Sequence, residues 1–219
     1  MARNDAKPLS TRRSFSDLDH EKQEAIRNAC LAEFVRASYQ GASTNAMAKQ
    51  AGVAKGLLFY YFGSKKGLFL YLTDYCIEFL HRKFFEGLEL GREDIFERTI
   101  RWTLRKWAMA ESHPLHYGFL VKQLLDCPPD VERLLEEKKR AYKALSMQRF
   151  YDGLDLSNLR PDVAGDRAVE FVSFVVEGLR ARNVDRYKRN PRPLPELHGE
   201  ILAELKEYLD LCRHGLCAR

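Results

Sequence analysis

Thr44 and Asn45 open one short segment of the chain, and Lys55 and Gly56 open the next. A threonine hydroxyl and backbone amide at the start of a helix suit a phosphate oxygen, because that helix end carries partial positive charge. Asn45 suits a phosphate or a base edge. Lys55 can donate to guanine, and Gly56 lets the backbone come close. These groups share one polyanionic target, and the chain around them is cleared of competing charge. Phe34 to Thr73 contains Arg36, Lys49, Lys55, Lys65 and Lys66 and not one Asp or Glu. A carboxylate facing phosphate would repel it.

Short helices must hold these side chains. Ser43 is an N-cap for a helix over Thr44–Ala51, and Gly52 closes it where a positive φ is wanted. Ala54-Lys55-Gly56 starts a second helix through Leu57–Phe62, which Gly63 and Ser64 end. Ser64 then caps a third helix beginning at Lys65 and Lys66. Helix, glycine-bearing turn, short helix is the helix-turn-helix arrangement, whose second helix can enter the major groove.

The stretch Asp19–Phe69 resembles the DNA-binding domain of TetR-family transcriptional regulators. The parts that match are Thr44, Ala51-Gly52-Val53, Ala54, Lys55-Gly56, the aromatic run Phe59-Tyr60-Tyr61-Phe62, and Ser64-Lys65. The resemblance implies that Leu57 faces the groove, where it could touch a thymine methyl, while Leu58 and Phe62 are core and Phe59 is partly exposed. It also implies that Tyr60 and Tyr61 meet phosphate or bases and that Lys65 meets phosphate. Leu57, Leu58 and Phe59 make this recognition helix unusually apolar, so specificity is expected to lean on methyl contacts and DNA shape.

Charge divides the chain in the same way. Residues 1–66 hold eleven basic and six acidic residues, and the remainder holds 25 of each, so the net charge of +5 sits at the N-terminal end. That is the footprint of a nucleic-acid module joined to a neutral domain. The expected organisation is a flexible basic arm over 1–16, a helix-turn-helix domain over 17–66 and a larger helical domain over 67–219. Arg12 and Arg13 of the arm could reach the DNA backbone or minor groove.

The rest of the chain reads as all-α, with about nine helices in total. Helical spacing of apolar residues predicts a first helix to about Ser38, then helices from Lys65, from Ile95 to His113-Pro114, over Leu115–Leu125 and over Asp130–Tyr151. A loop spans Gly153–Asp162. Two further helices follow, one carrying Phe171, Val175 and Leu179, the other Leu194, Ile201, Leu205 and Tyr208. No alternating strand pattern interrupts them. The two last helices could close the core of one protomer or pair with a second copy. The family resemblance implies homodimerisation through them, with Phe171, Val175, Leu179, Ile201, Leu205 and Tyr208 at the interface. It further implies an effector pocket in the helical domain, for which Phe79, Trp102, Phe119, Gln123, Tyr142 and Phe174 are candidates. An apolar pocket of that kind suits a small acyl or aromatic effector.

Other function classes find little footing. No Gly-rich phosphate loop, His-Glu-x-x-His or Gly-x-Ser-x-Gly motif is present. His113 and His116 lack identifiable metal partners, and Glu132, Glu136 and Glu137 read as a solvated face. The five scattered cysteines read as free thiols, since Cys212 and Cys217 have poor zinc spacing. With no membrane-length apolar run and no secretion signal, the expected place is the cytoplasm. The expectation is therefore a non-enzymatic, cofactor-free, homodimeric repressor that leaves a palindromic double-stranded operator when a small effector binds. The alternative is a DNA-binding protein of the same fold without an inducer, acting as an activator or through a protein partner.

Overall fold

In the computed structural model, which describes residues 14–125, 127, 129–192 and 194–217, regular structure is helical throughout. Arg12, Arg13, Pro128 and Pro193 lie outside the described residues, as do the side chains of Glu137 and Leu194. Among the described residues nine α-helices follow a 3-10 turn at Phe15–Asp17. They are α1 (His20–Gly41), α2 (Thr44–Gln50), α3 (Lys55–Phe62), α4 (Lys65–Phe85), α5 (Ile95–Ser112), α6 (Pro114–Leu125), α7 (Pro129–Tyr151), α8 (Gly165–Arg189) and α9 (Leu194–Leu216). Among the described residues there is no strand, only the isolated bridges Glu93–Leu154 and Leu159–Cys217. No described helix is long and apolar enough to cross a membrane.

The chain forms two compact units, residues 1–72 and 73–219, so α4 contributes to both. In the first unit α1 packs on α2, and α2 on α3. Asp19 starts α1 by accepting from the Lys22 N–H at 2.8 Å. The apolar face Ile26, Ala29, Cys30 and Phe34 is buried with Met47, Leu58, Leu68 and Phe69. Ser14, Phe15 and Ser16, expected within a flexible arm, lie in a turn of this unit, and Phe15 finds an aromatic socket there and is only 8 % exposed.

α1 does not run smoothly to its end. Ser38 adopts φ 56° and ψ −179°, and among the described residues it is the only non-glycine at positive φ. The chain kinks there, and the helix ends at Ala42, whose N–H returns to the Ser38 carbonyl at 3.1 Å.

In the second unit α5 packs on α6 and α9, and α8 on α9. Its core gathers Phe84, Ile95, Phe96, Trp102, Phe150, Val172, Leu179, Leu205, Leu209 and Cys212. A fully buried arginine organises one end of this core. Arg98 donates to the carbonyls of Gly91 (2.6 Å), Phe150 (2.9 Å) and Gly153 (3.4 Å), to that of Asp152, and to the Glu93 carboxylate at 3.3 Å. One turn or two further on, Arg105 donates to the carbonyls of Phe84 and Glu86. The α5 arginines thus satisfy the open C-terminal carbonyls of α4 and α7 with positive charge, where the helix dipoles are negative.

Candidate nucleic-acid interface

The reading surface is assembled from the end of α1 outward. Glu33 is the buried carboxylate at the edge of the acid-free segment. Its oxygens accept from Arg36 Nε at 2.9 Å and Nη2 at 2.8 Å, and Oε1 also accepts from the Ser43 backbone N–H at 2.9 Å. The Arg36 and Ser43 hydrogen bonds hold its pKa below the ordinary carboxylate value, against the opposing effect of burial. Glu33 therefore pins the N-cap of α2 to α1. The Ser43 hydroxyl then accepts from the Ala46 N–H at 3.3 Å, leaving Thr44 half-buried and Asn45 exposed at the head of α2.

The turn between α2 and α3 is a Schellman closure. The Val53 N–H bonds the Ala48 carbonyl at 3.0 Å and the Gly52 N–H bonds the Lys49 carbonyl at 3.2 Å. Gly52 sits at φ 66°, which only glycine adopts without strain. α3 begins at once, its start uncapped by any side chain. Leu58 is its buried anchor, Leu57 is half-buried, and Lys55, Gly56, Phe59 and Tyr60 are exposed. The Lys55 ammonium lies 5.7 Å from the centre of the Phe59 ring. Tyr61 and Phe62 are half-buried.

After α3 the chain reverses in two residues. Gly63, at φ 73°, caps α3 by bonding the Phe59 carbonyl at 2.9 Å, and the Ser64 hydroxyl accepts from the Gly67 N–H at 3.0 Å. At Gly67 the backbone passes so near the end of α3 that a Cβ would fall 2.1 Å from the Phe62 carbonyl oxygen.

Lys65, for which a phosphate contact is expected, is turned towards the end of α1 in the DNA-free chain. Its ammonium donates to the Gln40 carbonyl at 3.1 Å and rests over the Tyr39 ring at 5.1 Å. Burial lowers its pKa, with Glu33 pulling the other way. The cation is spent on the carbonyl end of α1, whose open acceptor draws it inward.

Phe15 is a neighbour of α3 that the sequence left unmarked. Its ring lies 5.6 Å from Tyr61, 4.9 Å from Phe62 and 5.3 Å from Tyr71, under the Arg27 guanidinium at 5.4 Å. Beside it a hollow of about 470 Å³ is lined by Ser14, Gln23, Arg27, Tyr60 and Tyr61 among others. A lone aromatic in a polar stretch was the available signal.

Of the six effector candidates, five are packed among other helices of the second unit and Phe174 stands apart. Phe79 stacks on His116 at 4.3 Å. Phe119 and Gln123 are buried on α6, Gln123 donating to the Thr73 hydroxyl at 3.0 Å. Trp102 is packed in the core against Phe84, Phe85 and Phe150. Tyr142 lies 5.6 Å from His81, its pKa raised by burial and by Glu78. Phe174 is instead 69 % exposed, on the rim of an open groove of about 810 Å³ between the end of α7 and the start of α8.

The interface candidates also divide. Leu179 and Leu205 lie in the protomer's own core, where α8 packs on α9 and α9 on α5. Val175 and Ile201 are half-buried, and Phe171 and Tyr208 are exposed. Phe174 and Leu211, at 69 % and 68 % exposed, extend that outward face.

Residues 26–72 match the family described as bacterial regulatory proteins, tetR family. Across most of its length the chain is similar to a TetR-family transcriptional regulator from Chloroflexus aurantiacus, at 26 % identity and TM-score 0.54, covering 94 % of this chain and 97 % of that one. A TetR-family regulator from Shewanella sp. PV-4 shares the fold at 21 % identity and TM-score 0.57, over 92 % of this chain and 100 % of its own. So does NalD of Pseudomonas aeruginosa, a secondary repressor of a multidrug efflux pump, at 16 % identity and TM-score 0.58, with coverages of 91 % and 98 %. No curated protein matches the chain.

Proposed function

We propose that the chain is a DNA-binding transcriptional regulator of the TetR type rather than an enzyme, and a homodimeric repressor released from a palindromic operator by a small-molecule effector, a reading supported by the match of its N-terminal domain to the tetR family of bacterial regulatory proteins. The observation that carries the reading is the α2–α3 pair. A carboxylate-free segment holds Asn45, Lys55 and Tyr60 exposed on adjacent short helices, with Leu58 buried beneath them. Lys55 and Gly56 enter the major groove first. Asn45 and Tyr60 supply polar contacts, Thr44 and Tyr61 flank them, and Leu57 offers an apolar surface to thymine methyls. Lys65 acts mainly by fixing α1 to α4.

Homodimerisation is supported by the outward apolar residues of the last two helices, Phe171 and Phe174 on α8 with Tyr208 and Leu211 on α9. A face of this kind is ordinarily covered. Ligand response is supported by two buried polar atoms. Gln123 Oε1 and Trp102 Nε1 have no hydrogen-bond partner among the described residues, and each is an atom that an effector could satisfy. An effector that binds one arrangement of the dimer better shifts the population towards it, lowering DNA affinity by that difference.

Binding of the purified full chain to genomic fragments, including DNA upstream of its own gene, tests the reading at two salt concentrations. A footprint of two symmetric halves with steep salt dependence is expected. Sequence-blind binding would remove the operator, and DNA retained against a broad panel of acyl and aromatic compounds would remove the inducer.

A further inference from the structure

We infer that Phe15 is a positioning residue for DNA reading, holding the tyrosines of the recognition helix through a chain of ring contacts. Phe15 lies before the first long helix, yet its side chain is buried against two elements at once. It meets Tyr61 edge-on at 74° and Phe62 at 52° on α3, and Tyr71 at 73° on α4. Tyr61 in turn meets Tyr60 edge-on, with ring centres 5.0 Å apart. The sequence Phe15, Tyr61, Tyr60 therefore runs from the buried socket to the exposed reading face.

The turn that carries Phe15 is itself fixed. The Asp17 carboxylate accepts from the Ser14 N–H at 2.6 Å, and the Gln23 amide donates to the carbonyls of Leu18 at 2.8 Å and Ser16 at 3.3 Å. Above the ring, Arg27 is held by the Tyr71 hydroxyl at 3.0 Å and by Gln23 Oε1 at 2.7 Å. Edge-to-face rings fix orientation as well as distance, since the positive edge of one seeks the negative face of the next. Without Phe15, Tyr61 loses its edge-on ring contact in the socket, and the support it passes to Tyr60 is loosened. Phe15 touches neither base nor phosphate in this role. It sets where two tyrosines point.

The inference rests on α3 being the DNA-reading helix. The test uses the full chain and a duplex selected by the wild-type protein from a random-sequence library, with an unselected duplex as the non-specific probe. Phe15→Ala should bind the selected duplex roughly tenfold more weakly, with binding to the unselected duplex and its salt dependence unchanged. Phe15→Leu, which keeps apolar bulk, should recover most of the loss. Gln23→Ala, which frees the turn but keeps the ring, should fall between them. Wild-type affinity in Phe15→Ala overturns the inference. So does an equal loss on both duplexes that tracks a lowered melting temperature, because that is loss of folded protein. Failure of the wild-type chain to select any duplex overturns the DNA-reading assignment of α3, and the inference with it.

Discussion

Glu33 and Ser43 are joined by a hydrogen bond of 2.9 Å from the backbone N–H of the N-cap residue to a buried carboxylate ten residues earlier in the chain. This bond sets where α2 begins, and so where Thr44 and Asn45 stand. Glu33→Ala strands that N–H and leaves Arg36 without its bidentate partner, a loss of roughly 2 kcal/mol. The same bond is acid-sensitive. The folded-state pKa of Glu33 is lowered from 4.5, so its stabilisation is complete above that value and disappears as pH falls through the lower folded value. Thermal melts of wild type and Glu33→Gln should be separated near neutrality and converge in acid. A constant separation would show that the charge is not what matters.

Ser38 occupies a backbone region that glycine visits freely and other residues do so under strain. Ser38→Gly should raise stability by about 1 kcal/mol, after allowance for the greater freedom of glycine in the unfolded chain. Urea denaturation followed by far-ultraviolet circular dichroism measures it. A lower midpoint would mean that the serine hydroxyl contributes more than the strain removes.

Arg98 satisfies four carbonyls from a fully buried position, and no shorter or uncharged side chain can replace that fork. Arg98→Met should destabilise the second unit by roughly 3 kcal/mol or more, and Arg98→Lys should rescue it poorly. Trp102 and Trp107, the two tryptophans of the chain, both belong to that unit. Their fluorescence therefore reports its unfolding separately from that of the DNA-reading unit.

Phe174→Arg combined with Leu211→Arg should convert the proposed dimer to a monomer in sedimentation velocity while leaving the melting of the protomer core nearly unchanged. Both side chains are about two-thirds exposed in the protomer. Leu179→Arg places a charge in the core and should unfold the second unit instead. If the double variant sediments as the wild type does, the outward face of α8 and α9 is not the interface.

Lys55 and Lys65 should separate in a salt titration of DNA binding. Lys55→Ala removes an exposed cation at the head of α3 and should weaken binding while flattening the salt slope by about one unit. Lys65→Ala should appear first as a lower melting temperature, because the Gln40 carbonyl loses its donor. Equal effects on both readouts would return Lys65 to the phosphate contacts.

What the sequence made legible is local chemistry. Ser43 and Ser64 cap helices as their types and places suggest, and Gly52 takes the positive φ expected of it. Helix ends at His113-Pro114 and around Gly153 follow from similar signals. Relations between distant residues were not legible. Nothing in the spacing of Arg98 announces that Phe150 and Asp152 will present carbonyls to it from fifty residues away. An apolar stripe on α8 or α9 does not say whether it meets its own protomer or another, and Leu179 and Leu205 met their own. Phe15 and Glu33 were overlooked because each stands among residues of the opposite character.

The two-residue reversal at Gly63-Ser64 has a mechanical meaning. With the Gly67 backbone already against the Phe62 carbonyl, the joint between α3 and α4 has no slack to take up. A rotation of the first turn of α4 would bear directly on the end of α3. Any side chain at position 67 would force that joint apart, so the smallest residue in the chain is also the one that makes the transmission stiff.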